Sequence, residues 1–330
     1  MGRLLWPDIA KGIGIITVPI GHIYRDTLVG QTIFLFHMPL FFFISGFFFK
    51  SDSNLWKFCK EKALHLLIPY TFILILFSYP EAFANIDANA PLITYVRKVG
   101  RLLIGGQYLN TYLNVVWFIT CLFLVQNLYN FIRVYFQEKW IHITAFLMLL
   151  LGYILEIYVP DFWLPLGANA ILGALPILHA GYLYKTYKDK FNVKLVSIVG
   201  ILAVGSATYI HSNYIDMKAG YYGIPFLTLM LSFSVILSII ALSEKLSTIK
   251  IFSVPLAEIG QASLVIMYFS EPVQLFIGKF YTQNQLIRTL AAIFIPFILY
   301  ILFRKVRWTR AFILGSKPDL QSYFTKAELK

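Results

Sequence analysis

Ten stretches of 18 to 21 mostly apolar residues dominate this chain. Their length is what a helix needs to cross the hydrocarbon core of a bilayer, about 20 residues at about 1.5 Å each. They run 7–24, 31–49, 63–83, 113–133, 142–159, 164–184, 194–211, 222–242, 260–278 and 286–304. A soluble chain would interrupt such runs to cover its surface, and roughly a quarter of its residues would be charged. Here 13% are charged and 58% are hydrophobic. The expected fold is therefore all-α: a polytopic membrane protein of about ten transmembrane helices. Residues 1–304 read as one transmembrane domain and 305–330 as a polar, partly disordered cytoplasmic tail. The stretch 84–112 suits a re-entrant or interfacial helix, since its apolar run from Leu102 to Gly106 is short. The first apolar stretch lacks a basic leader and a small-residue cleavage site, and is expected to be a retained helix rather than a signal peptide.

Lys and Arg fix the expected orientation, because short basic loops stay in the cytoplasm. With the N-terminus inside, 20 of them fall on the inner segments and 7 on the outer, and Lys11 lies within the first span. Both termini are thus expected in the cytoplasm. The same distribution accounts for the net charge of +12 through attraction to anionic lipid head groups, without nucleic acid as a partner. Cys59 and Cys121 are two lone cysteines with neither a disulfide framework nor a CxxC spacing, so no metal is expected.

Function is sought among ionisable groups inside the apolar spans, since each is costly there and tends to face a cavity or a partner. Asp8, Lys11 and His22 lie in the first span, His37 in the second, and Glu156, His179 and Glu271 in later ones. Lys11 and His22 are eleven residues apart, which on a helix is about 16 Å along the axis and only ~20° around it. One helix face carries both, and Asp8 pairs with Lys11 as an i,i+3 neighbour. The bland alternative is a lysine snorkelling to the inner head groups and a histidine at the outer interface. His37 stands at a similar depth in the run Phe34 to Phe43. Two imidazoles at one depth suit removal of a proton from a hydroxyl near neutral pH, although a buried, hydrogen-bonded histidine beside Pro39 reads equally well.

Asp8-Ile9-Ala10-Lys11-Gly12-Ile13-Gly14-Ile15, then Gly21-His22, then Phe36-His37-Met38-Pro39-Leu40-Phe41-Phe42-Phe43-Ile44-Ser45-Gly46, resemble the opening of the bacterial integral membrane acyltransferase family 3. Lys11 and His22 reproduce that family's basic residue and histidine separated by ten residues. Leu66-Leu67-Ile68-Pro69-Tyr70 and Trp117-Phe118 resemble later family segments, and Gly260 to Ile266 resembles its late glycine-serine-leucine helix. Where the family often carries a further histidine, this chain has Ser270 followed by Glu271.

The resemblance implies an O-acyltransferase of the inner (cytoplasmic) membrane. It would move an acyl group, by default acetyl from acetyl-CoA, onto a hydroxyl of an extracytoplasmic or lipid-linked glycan. In that reading His22 is the general base and His37 orients it, relays a proton or stabilises the oxyanion. Lys11, Asp8 and Lys62 serve the donor's phosphates, and Trp117, Tyr108, Asn114 and Glu271 contact the acceptor. Two rivals are a proton-coupled transporter using Glu156, His179 and Glu271, and a membrane scaffold. The first lacks the related halves such proteins usually show. The second gains nothing from a cation and an imidazole aligned on one face.

Overall fold

The computed structural model describes residues 4–83, 90–190 and 213–327, together with 192, 195, 197–200, 202 and 205. The expected span 194–211 lies largely outside the described residues, as do Arg3, Lys194 and Lys330 of the charge distribution. Among the described residues there is no strand. The helices are α1 (Trp6–Ile23), α2 (Leu28–Phe34), α3 (His37–Phe47), α4 (Leu55–Lys62), α5 (Ile68–Phe83), α6 (Leu92–Ile104), α7 (Trp117–Tyr135), α8 (Glu138–Tyr158), α9 (Ile171–Tyr187), α10 (Leu227–Leu246), α11 (Lys250–Gln261), α12 (Ser263–Phe280), α13 (Gln285–Phe303), α14 (Arg307–Phe312) and α15 (Lys317–Ala327).

Seven helical segments among the described residues are long and apolar enough to cross a membrane: Leu28–Phe47, Leu55–Ser78, Trp117–Tyr135, Glu138–Tyr158, Pro165–Lys190, Leu227–Leu246 and Gln285–Phe303. Helices α11 and α12, taken as one broken span, make an eighth. The expected first span is helical over 18 residues, but Asp8, Lys11 and His22 make it less apolar than its neighbours. In the stretch 84–112 the structure has α6, whose Leu92, Val96, Val99 and Leu103 are exposed beside Arg97, Lys98 and Arg101. Apolar and basic faces on one short helix are what a helix lying in the membrane interface carries.

The chain forms two compact units. The first takes in Met1–Lys50, Gln137–Phe162 and Leu172–Ser263. Its helices meet backbone to backbone through glycines. A Cβ on Gly12 would stand 2.2 Å from the Leu256 carbonyl oxygen of α11, and one on Gly260 would stand 1.8 Å from that of Asp8. On α3 and α9, Gly46 faces the Leu178 carbonyl and Gly181 that of Phe43 in the same way. Lipid tails are as apolar as leucine, so close packing through small residues has to supply cohesion that burial from water supplies elsewhere.

The second unit takes in Ser51–Phe136, Trp163–Ile171 and Leu264–Lys330. The Asn54 side chain accepts from the Lys57 amide at 2.9 Å and starts α4, and Asn284 accepts from the Leu286 and Ile287 amides to start α13. Between α4 and α5 the helix widens into a π-turn over Ala63–Leu67. Here His65 donates through Nδ1 to the Gly315 carbonyl at 2.8 Å, because a carbonyl only accepts.

That contact belongs to the tail, expected to be partly disordered from its polarity, whose described residues are largely helical. Residues 307–312 and 317–327 are helical, with Ala311, Ile313 and Leu320 buried. Arg310 grips Asp319 through Nε and an NH2 nitrogen at 2.8 and 3.0 Å, and the Ser316 hydroxyl donates to the same carboxylate at 2.7 Å. These bonds hold the Asp319 carboxyl down at about 2, well below the ordinary value of about 3.9. A depressed carboxylate contributes its tie in full above the unfolded value and loses it as pH falls through the folded one. Between about pH 4 and pH 2 the α14–α15 hairpin should loosen, and Asp319→Asn should loosen it at pH 7. Limited proteolysis of the membrane-embedded protein checks this: the variant's tail is cleaved first and the wild-type tail resists.

Candidate functional site

Pro7 starts α1 from a position where its missing N–H costs nothing. One turn on, the Lys11 ammonium donates to the Asp8 carboxylate at 3.0 Å; Asp8 is buried, while a third of the Lys11 side chain (33%) stays exposed. The carboxylate fixes one side of the cation and leaves another open to an anionic ligand.

At the other end of α1, Gly21 makes room for α2. A Cβ there would lie 2.8 Å from Ile33 Cγ2, so Ile33 packs directly against the residue that precedes His22. Helix α2 then ends and the chain turns at Leu35 and Phe36 before restarting as α3 with His37 as its first residue. The second span thus runs Leu28–Phe47 with a local interruption at Leu35 and Phe36. Its break leaves the Ile33 carbonyl accepting from the Phe36 amide at 3.1 Å and from His37 Nδ1 at 2.9 Å. Because the carbonyl can only accept, Nδ1 carries the proton, and in the neutral ring Nε2 presents its lone pair.

The two imidazoles meet edge to face with centroids 6.2 Å apart, and Phe34 packs against both, at 5.5 Å from His22 and 4.7 Å from His37. His37 is buried at 2% exposure and His22 is only partly buried. Asp8, Lys11, His22 and His37 thus lie in one unit, two at each end of α1.

The other expected site residues lie in the second unit. Lys62 ends α4 with its ammonium 5.1 Å from the centre of the Phe58 ring. Tyr108 sits in a short 3₁₀ turn, edge-on to Trp163 at 4.8 Å and with the Arg101 guanidinium 5.4 Å from its ring centre. Asn114 precedes α7, and Trp117, its first residue, is buried, so the indole packs inside the unit rather than lining an open rim. Glu271 is buried and accepts from Gln274 Nε2 at 3.0 Å; Gln274 in turn accepts from Arg288.

Sequence reading missed a second histidine pair. His142 Nδ1 and His179 Nε2 are 2.8 Å apart in the first unit. His142 follows Glu138 and Lys139 at the start of α8, where a charged helix end masks its entry into the bundle. Glu156, a candidate proton carrier in the transporter reading, accepts from the Tyr222 amide at 3.0 Å and anchors a loop. Among the described residues no group of three or more His, Cys, Asp and Glu gathers into a metal-binding set.

The described residues thus form a multi-helix membrane fold with a histidine pair at one end of its first helix and an ion-paired lysine at the other. A family model described as an acyltransferase domain matches residues 4–305, and the chain belongs to that family, integral membrane acyltransferase family 3. Among curated proteins it is similar to the nodulation protein NolL of Sinorhizobium fredii (strain NBRC 101917 / NGR234), 27% identical over 229 residues. That match covers 63% of this chain and 59% of the relative, so this chain spans less than two thirds of that protein's length. No solved structure matches this chain significantly.

Proposed function

We propose that this acyltransferase moves an acetyl group from cytoplasmic acetyl-CoA to a hydroxyl of an extracytoplasmic or lipid-linked glycan, from an inner-membrane position with both termini in the cytoplasm and about ten spans. The observation that carries the reading is the His22–His37 pair, with centroids 6.2 Å apart and the His37 tautomer set by the Ile33 carbonyl. Lys11 offers a cation to the donor's phosphates at the end of α1 that the charge distribution assigns to the cytoplasm, with Asp8 holding it and Lys62 adding to the inner-face charge. About 16 Å of α1 then separates phosphates from base, a span for the donor's extended arm.

In the proposed reaction the acceptor oxygen attacks the thioester carbonyl while His22 takes the hydroxyl proton. The carbon–sulfur bond breaks, and the leaving thiolate recovers that proton from the His22 imidazolium. His37 has its Nδ1–H committed to Ile33, so the neutral ring has no N–H left for an oxyanion. Its Nε2 lone pair suits accepting from an N–H of His22 and so orienting that ring, which narrows the roles open to it. Tyr108 and Asn114 remain proposed acceptor-side groups of the second unit, with the buried Trp117 and Glu271 supporting it from inside.

The test is the O-acetyl content of surface glycan from a deletion strain complemented with wild type or His22→Ala, at equal protein in the membrane. Wild type should restore a base-labile ester, and His22→Ala should restore at least about a hundredfold less. Full restoration by His22→Ala removes His22 from the chemistry, and no change in any ester with wild type overturns the reaction itself.

A further inference from the structure

Just past the histidine pair, beyond the C-terminal end of α1, the first unit holds a cavity of about 120 Å³ lined by Arg25, Asp26, Gln31, Phe34 and Tyr214. Its construction is specific. Phe34 contributes to its lining and is the ring that touches both His22 and His37. One wall is the turn after α1, tied down where the Thr27 amide bonds the Tyr24 carbonyl at 3.0 Å. Another is the loop 213–223, closed on itself by the paired bonds between Asp216 and Tyr221 at 2.8 and 3.0 Å. That loop is fastened from below by Asn213 to Thr228 and by Glu156 to the Tyr222 amide, and from the side by Arg25 to Asp216 at 2.8 Å. Ile215, Met217 and Tyr222 are buried beneath it. The cavity is therefore a standing feature of the unit.

The lining chemistry selects an occupant. Arg25 is the one cation among the lining residues, and Asp216 already neutralises it, which makes the cavity a poor anion cradle. What remains is a carboxylate (Asp26), a carboxamide (Gln31) and a phenol with its partly exposed ring (Tyr214), since Phe34 is buried at 6% exposure and carries the Arg25 guanidinium 5.4 Å from its ring centre. The side chains of Asp26 and Gln31 make no hydrogen bond among the described residues. Mixed donors and acceptors beside a ring face fit a neutral, polyhydroxylated ring, whose hydroxyls need partners and whose C–H face packs on an aromatic. By the charge distribution this is the extracytoplasmic end of α1.

We infer that this cavity is the acceptor subsite: a single sugar ring of the glycan packs on the Tyr214 ring, held by Asp26 and Gln31, with one hydroxyl directed past Phe34 to His22 and His37. The inference rests on the reading of the histidine pair as an acyl-transfer site, and it places the reacting sugar in the first unit, apart from the residues expected from sequence to contact it.

The experiment uses the full chain in nanodiscs with acetyl-CoA and, as acceptor probe, surface polysaccharide from the deletion strain stripped of esters by mild base. Gln31→Ala and the pair Asp26→Asn with Tyr214→Phe should each raise the acceptor KM about fivefold to tenfold, the size of a lost hydrogen bond. The acetyl-CoA KM should stay within about twofold. In parallel, Gln31→Cys in a chain lacking Cys59 and Cys121 should react with a membrane-impermeant thiol reagent from outside, and the polysaccharide should slow that reaction. Unchanged acceptor KM in the variants together with unprotected Gln31→Cys overturns the subsite while leaving the histidine chemistry intact. Protection of Gln31→Cys with no acetyl transfer by wild type overturns the reaction and keeps the cavity as a glycan site.

Discussion

His37→Ala and His37→Asn should both lose acyl transfer by about two to four orders of magnitude, the range a positioned acid–base group contributes. The pair of variants separates chemistry from scaffolding. Alanine removes the ring and the bond to Ile33, leaving a carbonyl at a helix break with one partner fewer and a hole against Phe34. Asparagine places an amide nitrogen near the position of Nδ1 and can keep the bond to Ile33, but it has no counterpart of Nε2. If His37 supplies the lone pair, the asparagine variant is as inactive as the alanine one while its melting temperature stays near wild type. If His37 only pins the break between α2 and α3, asparagine restores most of the activity. Transfer by His37→Asn above about a tenth of wild type would sink the chemical role.

Gly260→Leu should be among the most damaging single substitutions for folding. The Cβ it adds lies 1.8 Å from the Asp8 carbonyl oxygen, a backbone atom that cannot move without driving α1 and α11 apart. Gly12→Leu meets the Leu256 carbonyl at 2.2 Å from the other side of the same crossing. Ordinary overpacking costs about 1–3 kcal/mol. A side chain forced between two backbones that cannot yield should exceed that range, and the crossing carries Asp8 and Lys11. We expect loss of the protein from the membrane fraction, or a melting temperature lower by more than about 10 °C in detergent. Gly100→Ala is the control, because a Cβ on Gly100 meets nothing within 4 Å. It should be neutral or stabilising by up to about 1 kcal/mol through helix propensity. Equal stability of Gly260→Leu and Gly100→Ala would show that the α1–α11 contact does not hold this unit together.

The sequence by itself determined that the chain is helical and membrane-embedded, because apolar runs of about 20 residues leave few other states open. It also determined that Lys11 and His22 share a face of one helix, since rise and rotation per residue are nearly constant. The Asp8–Lys11 pair followed from the same local geometry, and the structure has it at 3.0 Å.

Tertiary structure decided what depends on distant partners. Pro39 marks a helix distortion in the run from Phe34 to Phe43, but does not say that His37 becomes the first residue after it; the packing of Ile33 on Gly21 and the ring bond to the Ile33 carbonyl accompany that interruption. His142 and His179, 37 residues apart, meet only because α8 and α9 lie side by side. The polar tail folds because Arg310, Ser316 and Gly315 find Asp319 and His65. The wall of the cavity beyond the histidines comes from a loop 191 residues from Arg25 in sequence. Periodicity reports the face a side chain takes on its own helix. Which face of another helix, or which distant loop, comes to meet it is set by shape and hydrogen bonding across the fold, and no local pattern encodes that.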